Sequence, residues 1–228
     1  MLRQVLAPIH PDGWRFIAIF AGVTVLLFAL AEPLGWAGVV ATLWCLYFFR
    51  DPWRVTPTRD GLVVAPADGR VVSLGPATPP AELGMGDAMM MRIGIFLNVL
   101  DVHINRVPMT GRVVKLAYHA GKFFNASLDK ASEENERMAI RLTSREGDDI
   151  AVVQIAGLVA QRIVCTLGEG QDVVAGQRFG LIRFGSRSDV YIPLSWAALA
   201  IPGQRVVGGE TVIADSHSQE PPRRGVSH

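Results

Sequence analysis

The sequence predicts a mainly β domain that follows an N-terminal pair of hydrophobic helices. Two observations predict the helices: apolar residues run without interruption over 16–31 and again over 34–49, and Glu32-Pro33 separates the two runs. A third observation predicts the β domain, because short segments rich in β-branched residues alternate with Gly and Pro from Gly61 onward. With 228 residues, the chain has room for one domain of ordinary size with appendages.

The two apolar runs predict a tight helical hairpin, inserted fully or partly into a membrane. Each run is a little shorter than the roughly 20 residues that span a bilayer. Basic residues flank the pair on both outer sides, which favours the cytoplasmic face for both ends. These flanking residues are Arg3, Arg15, Arg50, Arg54 and Arg59. A buried helix pair of a soluble core is the alternative. A signal peptide fits less well, since no small-residue cleavage site follows the runs.

The rest of the chain divides by composition. Residues 1–50 form the predicted hairpin, 51–60 are a polar, Pro-containing linker, and 61–215 are the predicted β domain. Its strand-like segments are 63–64, 70–74, 89–98, 111–118, 137–143, 150–156 and 163–166. A further hairpin pattern surrounds Gly208-Gly209, and the polar residues 216–228 are predicted to be a disordered tail.

Two segments of the β domain are alike in character, 64–72 and 170–177. Both resemble the hairpins of biotinyl/lipoyl-like and sugar-phosphotransferase IIA-like β-sandwich hybrids, so the predicted domain is barrel-sandwich-hybrid-like. Such shapes host several functions. A non-enzymatic membrane-tethered adaptor of this lipoyl/IIA-like shape is therefore one hypothesis. A carrier domain is another, but neither segment has a lysine at its tip.

Composition excludes several classes of function. The net charge of +1 gives no indication of bulk nucleic-acid binding. The two cysteines, Cys45 in an apolar run and Cys165 in a strand pattern, do not indicate a disulfide framework. Neither belongs to a CxxC pair, and no metal site is predicted.

The Gly185-Ser186 pair stands between an apolar strand pattern and an alternating one. A self-cleaving pyruvoyl enzyme would place its future cofactor here. The Ser186 hydroxyl would attack the Gly185 carbonyl to give an ester, β-elimination would follow, and the dehydroalanine would hydrolyse to a pyruvoyl group. Glycine permits the backbone angles that such an attack requires. Most lone Gly-Ser pairs are ordinary turns, so the interpretation depends on the rest of the chain.

Three further segments carry candidate chemistry. Asp68 lies in Pro-Ala-Asp-Gly, which is either a turn or a site. Asp101 and His103 would share a face if they lie on a strand, and a histidine can move protons or hold a phosphate; a hydrogen-bonded structural histidine is the equal alternative. Asn125 and residues 134–137 are polar, as in a solvated loop or a binding cluster.

The order of these segments is specific although each is short. An apolar hairpin is followed by Pro-Ala-Asp-Gly, then Phe-Leu…Asp-Val-His, then Gly-Lys-Phe…Asn-Glu-Arg, and then Phe-Gly-Ser. This order resembles phosphatidylserine decarboxylase in its short bacterial form, from Arg50 to about Ala214. The resemblance implies an inner-membrane proenzyme that cuts itself between Gly185 and Ser186. It implies decarboxylation of phosphatidylserine to phosphatidylethanolamine through a Schiff base on a pyruvoyl group derived from Ser186. The large and small chains would form a heterodimer that can pair again.

The resemblance also assigns residues. Asp68 matches the aspartate of the family's Asp-His-Ser processing triad, and Ser186 matches its serine. His103 matches the first histidine of Asp-Tyr-His-Arg-Val-His-Met-Pro, which is associated with decarboxylation. The second histidine of that motif, the usual triad member, is Arg106 here. Either His103 therefore takes both roles, or the Ser186 proton leaves by another route.

Other departures and candidates are smaller. The usual Leu-Gly-Ser-Thr is Phe-Gly-Ser-Arg here. Arg106 and Arg112 are candidates for binding the substrate's phosphate or carboxylate, with surface arginines as the equal alternative. Asn125 is a third candidate for substrate binding.

Overall fold

The computed structural model describes residues 7–121, 135–157, 163–183 and 185–226. The chain forms two compact units. The first consists of Met1–Trp53 together with Leu100–Val102, and the second of Arg54–Val99 with His103–His228.

The first unit contains the predicted helix pair, α1 (Gly13–Leu30) and α2 (Glu32–Phe48). The break between them lies at Ala31, whose φ of −163° is extended, one residue before the predicted breaker. Pro33 falls in the first turn of α2. It is tolerated there because the N–H that proline lacks would have no partner inside the helix.

The two helices pack closely and antiparallel through small residues. Thr24 and Thr42 join the helices by a hydrogen bond of 3.0 Å between their hydroxyls. A Cβ added at Gly38 would lie 2.8 Å from Thr24 Oγ1, so glycine lets the two backbones approach. This close packing confirms that the two apolar runs form a pair.

The remaining faces of the pair are exposed and apolar. The large apolar side chains exposed there are Trp14, Ile19, Val23, Val25, Leu26, Phe28, Leu30, Leu34, Trp36, Val40, Leu43 and Tyr47. Soluble monomers rarely expose so much contiguous apolar surface. By length and composition α1 could cross a membrane, with a mean hydropathy of 2.0. The pair is therefore compatible with membrane association.

The outer ends of the hairpin are joined to each other. His10 N–H donates to Phe49 O at 2.9 Å, which holds the chain entering α1 beside the chain leaving α2. The guanidinium of Arg50 lies 3.6 Å from the ring centre of Tyr47 and donates to Leu100 O at 2.8 Å. Arg50 therefore ties the segment Leu100–Val102 to this unit.

The second unit is built from short antiparallel strands. They are β1 (Leu62–Val64), β2 (Gly69–Ala77), β3 (Met90–Leu97), β4 (Ile104–Arg106), β5 (Gly111–His119), β6 (Arg137–Ser144), β7 (Asp149–Ile155), β8 (Ile163–Cys165), β9 (Asp172–Val173), β10 (Arg178–Ile182), β11 (Ser186–Ile192), β12 (Ala197–Ala198), β13 (Arg205–Val206) and β14 (Val212–Asp215). A 3₁₀ turn, Ala81–Leu83, follows β2.

The strands form a curled eight-stranded sheet and two three-stranded sheets. The large sheet has the order β13-β2-β3-β11-β7-β6-β5-β9, and the small sheets are β4-β10-β8 and β1-β14-β12. The main core packs alternate residues of the central strands, among them Ile93, Ile95, Val152 and Val190. The predicted mainly β fold class is confirmed, and each predicted strand segment coincides with an observed strand.

The pairing of the two predicted hairpins differs from the prediction. The turn that contains Asp68 joins β1, which pairs with β14, to β2, which pairs with β13 and β3. Similarly, β9 pairs with β5, whereas β10 pairs with β4 and β8. Each turn therefore carries the chain between sheets, because a turn signal fixes the local reversal but not the partner of each strand.

The segment between β3 and β4 also differs from the prediction. Residues 99–101 form a turn, and the strand resumes only at Ile104. The strand spacing that was expected to put Asp101 and His103 on one face therefore does not apply. His103 instead lies directly before β4, after this turn.

Candidate active site at the Gly185–Ser186 bond

The Gly185–Ser186 bond lies where the chain passes from one sheet to another. β10 ends at Ile182 in a small sheet, and β11 begins at Ser186 in the large sheet. Gly185 has φ +61°, in the left-handed region that favours glycine. A Cβ at Gly185 would meet nothing within 4 Å, so backbone conformation and not space selects glycine here. Phe184 lies outside the described residues.

Neighbouring strands change sheets at the same place. In the large sheet β11 lies between β3 and β7, and in the small sheet β10 lies between β4 and β8. The end of β3, the start of β4, the end of β7 and the start of β8 therefore lie close to the point where β10 ends and β11 begins. His103, just before β4, lies beside the end of β10, since its carbonyl accepts the Ile182 N–H at 3.3 Å. The sequence candidates His103 and Ser186 thus lie at the same end of the large sheet.

Ser186 is fully buried at the first position of β11, opposite Leu97 of β3. Among the described residues, its Oγ has no hydrogen-bond partner. A buried hydroxyl without a partner costs free energy, so such an atom calls for an explanation.

Asp68 lies directly before β2, at the same end of the large sheet as Ser186. Arg70 and Arg187 both pair with Phe96, so Asp68 and Ser186 each lie just beyond this row of residues. The Asp68 carboxylate accepts hydrogen bonds from Arg54 Nη2 at 2.7 Å and from Gly208 N–H at 2.8 Å. These two contacts fix the orientation of the carboxylate, which has a charged partner in Arg54.

Arg106, which stands where the family has its second histidine, is close to the Asp68 turn. Its N–H donates to Pro66 O at 2.7 Å, and its Cδ lies 2.7 Å from the position of a Cβ added at Gly209. Its Nη1 donates to Gly176 O at 3.0 Å. The backbone of Arg106 therefore contacts the Asp68 turn and its buried guanidinium reaches the carbonyl of Gly176, and not the face of β4 that carries Asn105.

The structure does not bring the remaining candidates to this end of the sheet. Arg137, at the start of β6, marks the end of the sheet that carries Ser186. Arg112 on β5 is opposite Thr143, six residues further along β6. Arg112 is therefore about 20 Å along the strands from that end. Asn125 lies outside the described residues.

Sequence reasoning missed a buried ion pair on β11. Arg187 Nε donates to Asp189 Oδ1 at 2.5 Å with both side chains fully buried, and Arg187 Nη2 donates to Ser73 Oγ at 2.8 Å. Burial, and then the Asp189 carboxylate, raise the pKa of Tyr191 on the same face to about 12. Tyr191 therefore stays protonated at neutral pH. The signal was present in the sequence, since the strand Ser-Arg-Ser-Asp has charges at alternate positions.

Sequence reasoning also missed three uncharged polar residues near Ser186. Ser188 on β11, Gln154 on β7 and Asn105 on β4 are all fully buried. Gln154 Nε2 donates to Asn105 Oδ1 at 2.7 Å, which links the large sheet to the small one. The lone glutamine in the apolar strand Ala-Val-Val-Gln-Ile indicates a buried polar contact, but it does not identify Asn105 as the partner.

Comparisons with known proteins agree with this arrangement. The family model for phosphatidylserine decarboxylase matches residues 41–214. A phosphatidylserine decarboxylase proenzyme of Cereibacter sphaeroides is 56% identical over 227 residues, which cover 100% of this chain and 98% of the relative.

Two further relatives carry the same name. The protein of Paramagnetospirillum magneticum is 58% identical and covers 99% of this chain and 94% of its own length. That of Ruegeria pomeroyi is 55% identical, with shares of 94% and 98%. The adaptor and carrier hypotheses are therefore wrong. The chain belongs to the phosphatidylserine decarboxylase family and is an enzyme.

Proposed function

We propose that this chain is a self-processing, pyruvoyl-dependent enzyme that converts phosphatidylserine to phosphatidylethanolamine and CO2. One observation carries the proposal: a left-handed Gly185 precedes a buried Ser186 whose hydroxyl has no partner among the described residues. The proenzyme names of the relatives support it, because a proenzyme has to be cut to become active.

Processing uses only the chain's own atoms and one water. The Ser186 Oγ attacks the Gly185 carbonyl carbon, and the C–N bond between the two residues breaks to leave an ester. β-Elimination releases the Gly185 carboxylate and leaves dehydroalanine at position 186. Addition of water and loss of ammonia then give the pyruvoyl group.

The surroundings of Ser186 fit a covalent group of this kind. After the cut, residue 186 is the first residue of β11, and β3 and β7 hydrogen-bond to the strand on both sides. The buried Arg187–Asp189 pair fixes the next residues. A pyruvoyl group supplies a carbonyl that condenses with the substrate amine and withdraws electrons as CO2 leaves, as pyridoxal phosphate does elsewhere.

The two products of the cut should remain together. The small chain would contain β11 to β14, and each of these strands is hydrogen-bonded within one of the sheets. β11 lies between two strands of the large chain, β13 pairs with β2, and β14 pairs with β1. We therefore infer a stable heterodimer, which can pair again in the membrane.

His103 is the proposed acid that protonates the substrate carbon, or a contact to the lipid phosphate. It is buried, it precedes β4 directly, and its carbonyl binds the strand that leads to Gly185. The proposed role of Asp68 is to orient or deprotonate a neighbour of Ser186 during processing. Arg106, whose backbone contacts the Asp68 turn, is a candidate for binding the substrate phosphate.

The test of the proposed function uses the purified full-length chain with phosphatidylserine vesicles. We expect release of CO2 and formation of phosphatidylethanolamine, both abolished by prior treatment with a carbonyl reagent such as phenylhydrazine. Vesicles of phosphatidylglycerol are the control and should release nothing. Turnover that persists after the carbonyl reagent would contradict a pyruvoyl mechanism.

Asp68→Ala should accumulate uncut chain, which denaturing gels measure. Because the Arg54 side chain is 4% exposed, removal of its partner should also lower the free energy of unfolding by about 3–5 kcal/mol. The matched control is Asp215→Ala, since Asp215 pairs with an Arg59 side chain that is 54% exposed. That variant should cut normally and lose about 1 kcal/mol or less. Normal cutting by Asp68→Ala would remove Asp68 from processing.

The helix pair is proposed to hold the enzyme on the cytoplasmic face of the inner membrane. Its helices of 18 and 17 residues are about 27 and 25 Å long, close to the thickness of the hydrocarbon core. The joined outer ends, with Arg15 exposed on one of them, fit a hairpin whose ends lie on one side.

A chain that lacks residues 1–49 tests the role of the pair. We expect it to cut itself as wild type does, because Ser186 and Asp68 belong to the other compact unit. It should turn over lipid in vesicles poorly, and it should leave the membrane fraction without detergent. If the full-length chain is itself soluble and monodisperse without detergent, the membrane role is wrong.

A further inference from the structure

A buried polar cluster joins one face of the large sheet to β4 of the small sheet within an apolar core. The cluster consists of Ser186, Ser188, Gln154 and Asn105, all with no exposed surface. Ser188 is directly opposite Gln154 in the pairing of β11 with β7. Ser186 is two residues before Ser188 and shares its face.

Each member of the cluster has an unsatisfied polar atom. Within the described ranges, no hydrogen-bond partner is present for Ser186 Oγ, Ser188 Oγ, Gln154 Oε1 or Asn105 Nδ2. The single contact that joins the two amides, Gln154 Nε2 to Asn105 Oδ1, uses one atom of each and leaves the other atom unpaired. Four such atoms in one core are unusual, because buried polar groups nearly always have partners.

The chemistry of these atoms selects the ligand. An amide nitrogen donates only, an amide oxygen accepts only, and the two hydroxyls do both. A carboxylate or phosphate would be repelled by the Gln154 oxygen, and a cation by the Asn105 N–H groups. Water both donates and accepts, and a buried water typically makes two to four hydrogen bonds to polar groups of this kind.

The spacing fits a single water between the hydroxyls. Residues two apart on a strand have Cα atoms about 7 Å apart. Two hydrogen bonds of about 2.8 Å through one water oxygen join outer oxygens about 4.6 Å apart at a tetrahedral angle, and at most about 5.6 Å apart. Ser186 Oγ and Ser188 Oγ share one water when their side chains lean towards each other, with the amide pair on its other side.

We propose that Ser188, Gln154 and Asn105 hold a water that carries the Ser186 proton during self-processing. This inference rests on the proposed function. As the Oγ–C bond to Gly185 forms and the C–N bond breaks, the proton leaves Oγ for the water. The water gives another proton to the nitrogen of residue 186, which becomes an amine. Protons balance, and no external acid or base is consumed.

This route accounts for the absence of the family's second histidine. Arg106, at that position, is buried against the Asp68 turn and points away from the face that carries Asn105. A water held by neutral side chains replaces a titrating base with an internal transfer. Ser188, Gln154 and Asn105 are positioning residues in this proposal, because they act through the water.

The experiment follows cutting of the freshly translated full-length chain on denaturing gels. Ser188→Ala and Gln154→Met each remove hydrogen bonds to the water at nearly constant shape, and both should cut about 10²-fold more slowly than wild type. Ser216→Ala is the matched control, because Ser216 Oγ also has no partner among the described residues but lies just after β14, away from β11, and its loss should leave the cutting rate unchanged. Ser188→Thr keeps the hydroxyl and should cut at least tenfold faster than Ser188→Ala.

Hydroxylamine distinguishes the step that is affected, since it cleaves an ester but not an amide. It should not restore cutting in Ser188→Ala, because the ester does not form. Restoration to the wild-type rate, or equal rates for Ser188→Thr and Ser188→Ala, would overturn the proposal. Wild-type cutting in both slow variants would overturn it while leaving the proposed function intact. A wild-type chain that never cuts would overturn both.

Discussion

Replacement of Ser186 by alanine is expected to leave one uncut chain of 228 residues with no decarboxylase activity. Alanine lacks the oxygen that attacks Gly185, so neither the ester nor the group derived from it can form. Because the Oγ has no partner among the described residues, its removal breaks no hydrogen bond there. The variant should therefore melt at or above the temperature of wild type, which separates lost chemistry from lost folding.

Denaturing gels and a vesicle assay measure this outcome, with Ser216→Ala as the control. Ser216 follows β14 and its Oγ also has no partner among the described residues, so its variant should cut and turn over normally. The expected difference is all or none. Cutting of Ser186→Ala at the same bond would show that another residue supplies the nucleophile.

Replacement of His103 by alanine is expected to permit cutting but to lower turnover by roughly 10²-fold or more, the contribution of a general acid. Its position matches the family's decarboxylation histidine. The proposed water route gives the Ser186 proton a path that does not need an imidazole. If His103 had instead inherited the processing role, the variant would stay uncut.

The control for His103→Ala is His119→Ala, because His119 is an exposed residue at the end of β5. His103→Gln serves as a second variant of similar size, since His103 is buried and its loss could weaken packing. Both His103 variants should cut while kcat falls. A variant that cuts and turns over as wild type does would remove His103 from the mechanism.

The sequence predicts much of the fold because local patterns decide the elements. The strand-like patterns of apolar and β-branched residues predicted every strand of the large sheet that has seven or more residues. β4 was missed because it has three residues, two of them Asn105 and Arg106, which do not favour strands. Its place in the small sheet depends on pairing with β10, and pairing is not a local property.

The candidate site was predictable only in part. Gly185, Ser186, Asp68 and His103 came from motif order, and the structure places them at one end of the large sheet. Gln154 and Asn105 are 49 positions apart, and nothing in either segment predicts that their amides meet. Arg112 was proposed from its charge alone, and the strand register puts it at the opposite end of the sheet.

The mass of the intact, denatured protein tests the central claim most directly. The account predicts two chains, one that ends at Gly185 and one that begins at position 186. The smaller should be lighter than a serine-initiated peptide by one ammonia, and the two masses should sum to the uncut chain plus one water minus one ammonia. A single chain with full decarboxylase activity, or a small chain that begins with an unmodified serine in active enzyme, would contradict it.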